Sequence, residues 1–317
     1  MKILFTGSSS FTGYWFIRAL VEAGHEVIAT FTAPGPESYP EAEVRGHRVR
    51  RVQKLAKCEF DTRFGDERML NLVSELAPLD LLCHHGAEVG DYKSPDFDVP
   101  AAVARNTHNL RPVLAAAQAA GCKRVLLTGS VFEGGEGAGS DGLPHFSAYG
   151  LSKALTAEVF RYACETAGVA LGKFVIPNPF GPCEEPRFCT YLVRNWLAGK
   201  TPGVNTPDYV RDNIHVSLLG AAYARFAADL PDTPGFTRIS PSGYIESQGA
   251  FALRFAREMA DRLGCPCPVD LALQTDFPEP RIRINTDPVV AADFAWDEAS
   301  AWDELARDYL DRLGEPS

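Results

Sequence analysis

Tyr149-Gly150-Leu151-Ser152-Lys153 sets a phenol and an ammonium four residues apart, a spacing that brings both side chains to one face of a helix. A neighbouring ammonium favours phenolate and draws down a pKa that normally sits near about 10. Tyr149 is therefore expected to exchange a proton with a sugar or alcohol hydroxyl near neutral pH, with Lys153 as its partner. Alone, the pair suits the wet face of an amphipathic helix equally well. Its position gives it weight: upstream, Leu127-Thr128-Gly129-Ser130 closes an apolar strand pattern. A hydroxyl at the C-terminal end of a parallel strand faces the crevice where open α/β sheets bind ligands. Thr128 is expected to share the reacting oxygen with Tyr149, and Ser130 is the fallback.

The string Thr6-Gly7-Ser8-Ser9-Ser10-Phe11-Thr12-Gly13 has the composition of a phosphate-binding turn. Between a strand and a helix, backbone N–H groups and the positive end of the helix dipole would meet a dinucleotide pyrophosphate. Gly7 allows the sharp turn and Gly13 allows close helix-to-strand packing, while Ser10 stands where the middle glycine is usual. Ser9, Ser10, Phe11 and Thr12 complete the expected cofactor contacts. An acidic residue normally ends the second strand and holds the ribose 2′-hydroxyl of NAD. That position falls on Phe31, followed by Thr32, and the missing carboxylate leans the expectation toward NADP over NAD.

These residues need a scaffold, and the chain patterns one. Strands at 2–6, 25–31, 79–84, 124–128 and 169–176 alternate with helices at 14–23, 67–76, 101–120 and 149–167. Such alternation predicts an α/β fold, a Rossmann-type doubly wound parallel sheet with helices on both faces. The Pro/Gly-rich segment 177–186 breaks the rhythm. Residues 1–176 are thus expected to form the dinucleotide-binding domain and 177–317 a smaller, mainly helical C-terminal substrate domain. That second domain carries helices near 188–198, 216–228, 248–263 and 302–313, with a return excursion to the first domain near 211–245. The basic cluster Arg45, Arg48, Arg50, Arg51, Lys54 and Lys57 reads as a solvated loop, close enough to offer a cation to a 2′-phosphate.

Composition narrows the partners. Against 41 Asp and Glu stand 31 Lys and Arg, a formal charge of -10 that disfavours nucleic acid and acidic membrane surfaces. No apolar stretch is long enough to span a membrane, and Met1-Lys2 runs straight into a strand pattern, so a cytoplasmic protein is expected. The eight cysteines lack a C-x-x-C pair and read as reduced thiols. His84 and His85 have no third ligand at useful spacing, so packing in the core or against the cofactor is expected in place of a metal site.

With these motifs in place, the chain resembles the extended short-chain dehydrogenase/reductases, in particular the NAD-dependent nucleotide-sugar epimerases, dehydratases and reductases. Asp66 after Gly65, with Glu67 beside it, resembles the family's adenine-side segment. Asp80 to Ala87 is similar to its fourth strand, which implies cofactor contacts from His85, Gly86 and Ala87, with Glu88 on the substrate side. Asn106 falls on the family's structural helix asparagine. Val131-Phe132 follows Thr128 as the family's Val-Tyr follows its catalytic hydroxyl, which selects Thr128 over Ser130. Pro177-Asn178-Pro179-Phe180-Gly181-Pro182 resembles the segment before the substrate domain, implying Pro177 near the cofactor and Asn178 near a nucleotide diphosphate. Arg211-Asp212-Asn213-Ile214-His215-Val216 resembles the string whose arginine grips that diphosphate. The alternative for Arg211 is a surface salt bridge to Asp208 or Asp212. Glu133 stands where the family has glycine, and Lys173-Phe174 where an arginine is frequent.

The resemblance implies an NAD(P)-dependent oxidoreductase that moves a hydride reversibly at a hydroxyl or carbonyl carbon of a nucleotide-linked sugar, as a 4-epimerase or a 4-keto reductase. It also implies a homodimer built on the Ala-rich helices. Two other readings stay open: a reductase or dehydrogenase of a non-nucleotide carbonyl compound, and a non-catalytic NAD(P)-binding sensor.

Overall fold

The computed structural model describes residues 1–92, 94, 96–140 and 142–314. The first half runs β1 (Lys2–Thr6), α1 (Phe11–Glu22), β2 (Glu26–Thr30), α2 (Val44–Leu55), β3 (Lys57–Glu59), α3 (Glu67–Glu75), β4 (Leu81–His84), α4 (Val99–Asn106), α5 (Leu110–Ala119), β5 (Arg124–Ser130), β6 (Ala138–Gly139), α6 (Ala148–Ala167) and β7 (Ala170–Ile176). After it come β8 (Asn178–Phe180), α7 (Phe188–Leu197), β9 (Gly203–Val204), β10 (Val210–His215), α8 (Val216–Asp229), β11 (Gly235–Ile239), β12 (Pro241–Ser242) and β13 (Tyr244–Ser247). The chain ends with α9 (Gln248–Leu263), β14 (Asp270–Leu271), β15 (Ile282–Ile284), β16 (Asp287–Pro288) and α10 (Glu298–Leu313).

Seven strands form one sheet in the order β11-β7-β5-β4-β1-β2-β3, and every neighbouring pair is parallel. The central strands are apolar along their whole length because helices cover both faces. On one face α1, α2 and α8 bury Phe5, Phe16, Phe174 and Tyr223. On the other, α3, α5 and α6 bury Leu82, Val113, Leu127 and Phe160. This is the doubly wound Rossmann-type arrangement, and its ligand crevice lies at the C-terminal ends of β1, β4 and β5.

The second core, with Leu192, Trp196, Phe255, Trp302 and Tyr309, lies among α7, α9 and α10. Beside these helices sits a mixed sheet, β13-β10-β15-β6, with β8 paired to β10. Its strands are two to six residues long and come from distant points of the chain, too short to print a period in the sequence. Two expectations change. The basic cluster is not a solvated loop: Val44–Leu55 is a helix that buries Val49, Val52 and Arg48 against α1 and is followed by a short strand, β3. The helix expected over 101–120 is two, broken where Asn109 takes a left-handed conformation (φ 48°) and its amide donates to the Gly65 carbonyl at 2.8 Å. An asparagine tolerates that conformation because its short amide can bond locally.

Candidate active site

The turn after β1 is closed by backbone constraints. Gly7 has φ +80°, and a Cβ there would stand 2.6 Å from the Gly86 nitrogen; at Gly13 it would stand 2.3 Å from the Gly7 carbonyl oxygen. Ser10, at the position of the usual middle glycine, caps α1: its Oγ accepts the Gly13 N–H at 3.1 Å and donates to the Gly7 carbonyl at 2.8 Å. The hydroxyl folds into the turn and takes up the Gly13 N–H, and of the first N–H groups of α1 those of Phe11 and Thr12 are left without a partner among the described residues. A cradle that any Cβ would fill, at a helix N-terminus, fits a dinucleotide pyrophosphate. Phe11 is buried at the start of α1. The Ser9 carbonyl is held from below by Arg48 Nε at 3.0 Å, and the same guanidinium donates to the Cys183 carbonyl at 2.8 Å and pairs with Glu185. Arg48 thus joins the turn to the segment that leads into α7.

At the end of β2, Phe31 is buried and stacked on Phe60 at 4.8 Å, with Thr32 exposed beyond it. Three of the cations expected to serve a 2′-phosphate are engaged elsewhere: Arg48 points inward, Arg51 lies 5.9 Å over the Tyr14 ring, and Lys57 pairs with Glu59 at 3.0 Å. Asp66, expected on the adenine side, is half-buried at the start of α3. It is the N-cap of α3, with one carboxylate oxygen accepting the Met69 N–H at 2.8 Å and the other the Arg63 N–H at 2.9 Å. Glu67 follows it, exposed, in the first turn. The residues that leave β3 beside Phe31 are Asp61 and Thr62, whose N–H groups bond the Ala33 and Phe31 carbonyls.

At the end of β4 two histidines stand side by side, His84 buried and His85 half-buried. His84 bonds Thr6 Oγ1 at 3.0 Å through Nδ1 and the Asn106 carbonyl at 3.1 Å through Nε2. His85 bonds Thr128 Oγ1 at 3.0 Å through Nδ1, and Ser10 Oγ and Thr12 Oγ1 at 3.0 and 3.2 Å through Nε2. Burial, assisted by the Lys153 ammonium, pushes both imidazoles down to about 3, so they are neutral near pH 7. The Gly86 N–H donates to Thr6 Oγ1 at 3.0 Å, and Ala87 follows, half-buried. The Asn106 amide is an adaptor: its oxygen accepts the Glu88 N–H at 2.7 Å and its nitrogen donates to Thr156 on α6 at 3.2 Å. The Glu88 carboxylate itself pairs with Arg105 at 2.9 Å.

Helix α6 begins at a Ser147 cap and runs close to the end of β5, where a Cβ on Gly150 would stand 2.2 Å from the Phe132 carbonyl oxygen. Lys153 donates to the Thr128 carbonyl at 2.5 Å. Tyr149 lies against the Tyr92 and Phe97 rings, at 5.9 and 6.2 Å. The expected downward pull on its phenol is reversed: burial and then the Glu133 carboxylate push it up, with Arg187 opposing. Lys153 is pulled down to about 8 by burial, with Glu133 opposing and Lys173 adding to the fall. Tyr149 is therefore a protonated acid as it stands. The departures at 133 and 173 prove to be one feature: Lys173 Nζ pairs with Glu133 at 2.5 Å and with Glu136 at 2.8 Å, all three buried. Glu133 also accepts the Ser130 N–H at 2.7 Å.

The two candidate hydroxyls of β5 are not equivalent. Thr128 is 3% exposed and turned onto the α1 and α8 face, toward His85. Ser130 lies past the end of β4, half-buried, with its Oγ accepting the Phe132 N–H at 3.2 Å.

Where a substrate is expected, β8 pairs with β10 so that Asn178 lies opposite Asn213, and Pro177 is buried between β7 and β8. The Asn178 amide donates to the Asp212 carbonyl at 3.3 Å. Arg211 donates to Glu279 at 2.9 Å and to the carbonyls of Val210, Pro280 and Arg281. Its carboxylate partner is Glu279, not Asp208 or Asp212, because the buried Asp212 accepts the N–H groups of Gly243 and Asn285. Arg187, exposed at the N-cap of α7 and felt by the Tyr149 phenol, had no motif to mark it in the sequence.

A model of the NAD dependent epimerase/dehydratase family matches residues 3–233. No curated protein sequence matches the chain. Among solved structures, the chain is similar to a variant of UDP-glucuronic acid 4-epimerase from Bacillus cereus in complex with a fluorinated UDP-sugar and NAD, with 17% identity, 99% of each chain covered and a TM-score of 0.72. UDP-glucose 4-epimerase from Thermotoga maritima with UDP-glucose gives 17%, 99% of this chain and 100% of that one, and 0.70. The dTDP-glucose 4,6-dehydratase from Streptomyces venezuelae with NAD bound gives 20%, 99% and 98%, and 0.69. At these identities the likeness is one of fold.

Proposed function

The chain belongs to the NAD-dependent epimerase/dehydratase family, as an enzyme of the extended short-chain dehydrogenase/reductase type, and from that premise we propose reversible oxidation and reduction at a carbinol carbon of a nucleotide-linked sugar, of the 4-epimerase or 4-keto reductase kind. When bound, the dinucleotide supplies the nicotinamide carbon that accepts and returns a hydride. Gly7, Ser9, Ser10, Phe11, Thr12 and Gly13 receive its pyrophosphate, and His85, Gly86 and Ala87 wall the crevice beside it. Tyr149 exchanges the proton of the reacting oxygen, Lys153 holds positive charge beneath that exchange, and a hydroxyl at the end of β5, Thr128 or Ser130, fixes the oxygen. Asn178 and Arg211 lie where a diphosphate would be gripped. The cofactor is NAD or NADP: Phe31 offers neither a carboxylate to repel the 2′-phosphate nor a cation to hold it.

The observation that carries this reading is the meeting of Tyr149, Lys153 and the end of β5 at the mouth of the glycine turn. The UDP-sugars bound by two of the solved neighbours support the substrate class. Tyr149→Phe is expected to lower turnover by on the order of 10²–10⁴ while the cofactor still binds; unimpaired turnover would refute the assignment. NAD released on heating the purified protein supports an epimerase, and an empty site that titrates with NADPH supports a reductase. The reading as a reductase of a non-nucleotide carbonyl compound is favoured by one contact, the pairing of Arg211 with Glu279.

A homodimer is part of the proposal. Leu155, Val159 and Tyr162 lie 44, 40 and 64% exposed along α6 at helical spacing. An apolar stripe on a buried-core helix fits a second copy packed helix to helix. Light scattering at micromolar concentration is expected to return twice the chain mass.

A further inference from the structure

We propose that His85 is a positioning residue that takes up the Thr128 proton, so that Thr128 serves the site only as an acceptor and Ser130 is the hydroxyl that donates to the reacting oxygen. The inference rests on the hydride-transfer reading above and assigns roles within that site.

The argument is a count of protons. Ser10 Oγ and the Gly7 carbonyl oxygen are 2.8 Å apart, a separation that two lone-pair-bearing oxygens keep only with a proton between them. The sole proton available is that of Ser10. Having spent it there, Ser10 accepts from the Gly13 N–H and can only accept from His85. His85 Nε2 therefore carries hydrogen, shared between Ser10 and Thr12. A neutral imidazole has one N–H, so Nδ1 is bare and the hydroxyl 3.0 Å away, Thr128, must donate to it. The neighbouring pair repeats the pattern: His84 Nε2 faces the Asn106 carbonyl, which fixes its hydrogen there, and Thr6 donates to Nδ1.

Thr128 is thus a donor spent inside the fold. The Tyr223 hydroxyl approaches it from α8 without completing a hydrogen bond, which keeps that side closed as well. Ser130 is arranged the opposite way. Its oxygen accepts from Phe132, its N–H is tied to the buried Glu133, and its own proton has no acceptor among the described residues. Gly150, next to Tyr149, packs on the Phe132 carbonyl two residues beyond Ser130. Glu133, within the Glu133–Lys173–Glu136 cluster, holds the Ser130 backbone and the Phe132 N–H its hydroxyl oxygen, while the His85 chain retires the Thr128 hydroxyl.

Two measurements test this. In the intact protein labelled with ¹⁵N-histidine, and with the His85 resonance assigned by its loss in His85→Leu, the ring should show a pyridine-type shift at Nδ1 and a pyrrole-type shift at Nε2, unchanged from about pH 8 to about pH 5. The reverse tautomer overturns the proposal. In kinetics, Ser130→Ala should lower kcat by on the order of 10²-fold with KM little changed, as loss of a donor to a developing oxyanion does. Thr128→Val should cost at least tenfold less than that, roughly what His85→Leu costs. Thr128→Val as damaging as Ser130→Ala overturns the assignment too. A protein that turns over no nucleotide sugar but shows the stated tautomer leaves His85 as assigned and refutes the functional reading alone.

Discussion

The cofactor side and the substrate side of the crevice are built on different plans. Around the turn from Gly7 to Gly13, polar groups are completed by backbone neighbours or by His84 and His85, and the cavity is shaped by what cannot be there, namely a Cβ. Around β8 and β10 the groups suited to a diphosphate are engaged with the chain itself: Arg211 with Glu279, Asn178 with the Asp212 carbonyl. One side is shaped before its ligand arrives. Under the proposed function, the other exchanges internal partners for the ligand, at a cost that lowers apparent affinity and raises discrimination.

The comparison breaks most severely at Gly7. Gly7→Ala combines a positive φ with a backbone clash, and is expected to lose about 3 kcal/mol of stability together with cofactor uptake, read by denaturant unfolding and fluorescence titration. Retained uptake at wild-type affinity would mean that the turn is not preformed. A smaller, distributed effect comes from pH. His84, His85 and His215 are each held down to about 3 by burial from the ordinary value of 6.5. Between those limits the unfolded chain binds protons that the folded one refuses, so their contribution to stability is complete above 6.5 and lost as pH falls toward 3. His85→Gln should therefore shift the acid unfolding midpoint, followed by near-UV circular dichroism, to lower pH. The smallest change sharpens the other side: Glu279→Gln frees Arg211 and is expected to lower KM for a nucleotide sugar a few-fold while stability moves by less than about 1 kcal/mol. A KM that rises or stays fixed would remove Arg211 from the binding site.

That contrast also explains what the sequence made legible. The turn, the Tyr149–Lys153 pair and the order of strands and helices follow from residues near one another in the chain. Helix α2 was hidden because its buried face holds an arginine: Val49 and Val52 stand at helical spacing, but the charge around them masks the stripe. Asp66 follows a glycine as an adenine-side residue would, and the same Asp with Met69 three residues on is also an N-cap, a role that the sequence reading leaves unmarked. The pairing of Glu133 with Lys173 joins a loop to a strand 40 residues later, and no local pattern announces such a contact. Register with the family's Val-Tyr selects Thr128 over Ser130, and register says nothing of which way a hydroxyl proton points.

The seventh strand carries a last consequence. β11 leaves the second half of the chain to cover the edge of β7, so the sheet is finished only when residue 239 has been made. A nascent chain that has emerged as far as β7 exposes an unpaired apolar edge, Ala170 to Ile176, to any other strand nearby. A fragment ending at 176 would carry that edge permanently. Whatever independence the two halves have in binding their ligands, they are not expected to have it in folding: the shorter piece should be recovered as aggregate under conditions that keep the full chain in solution.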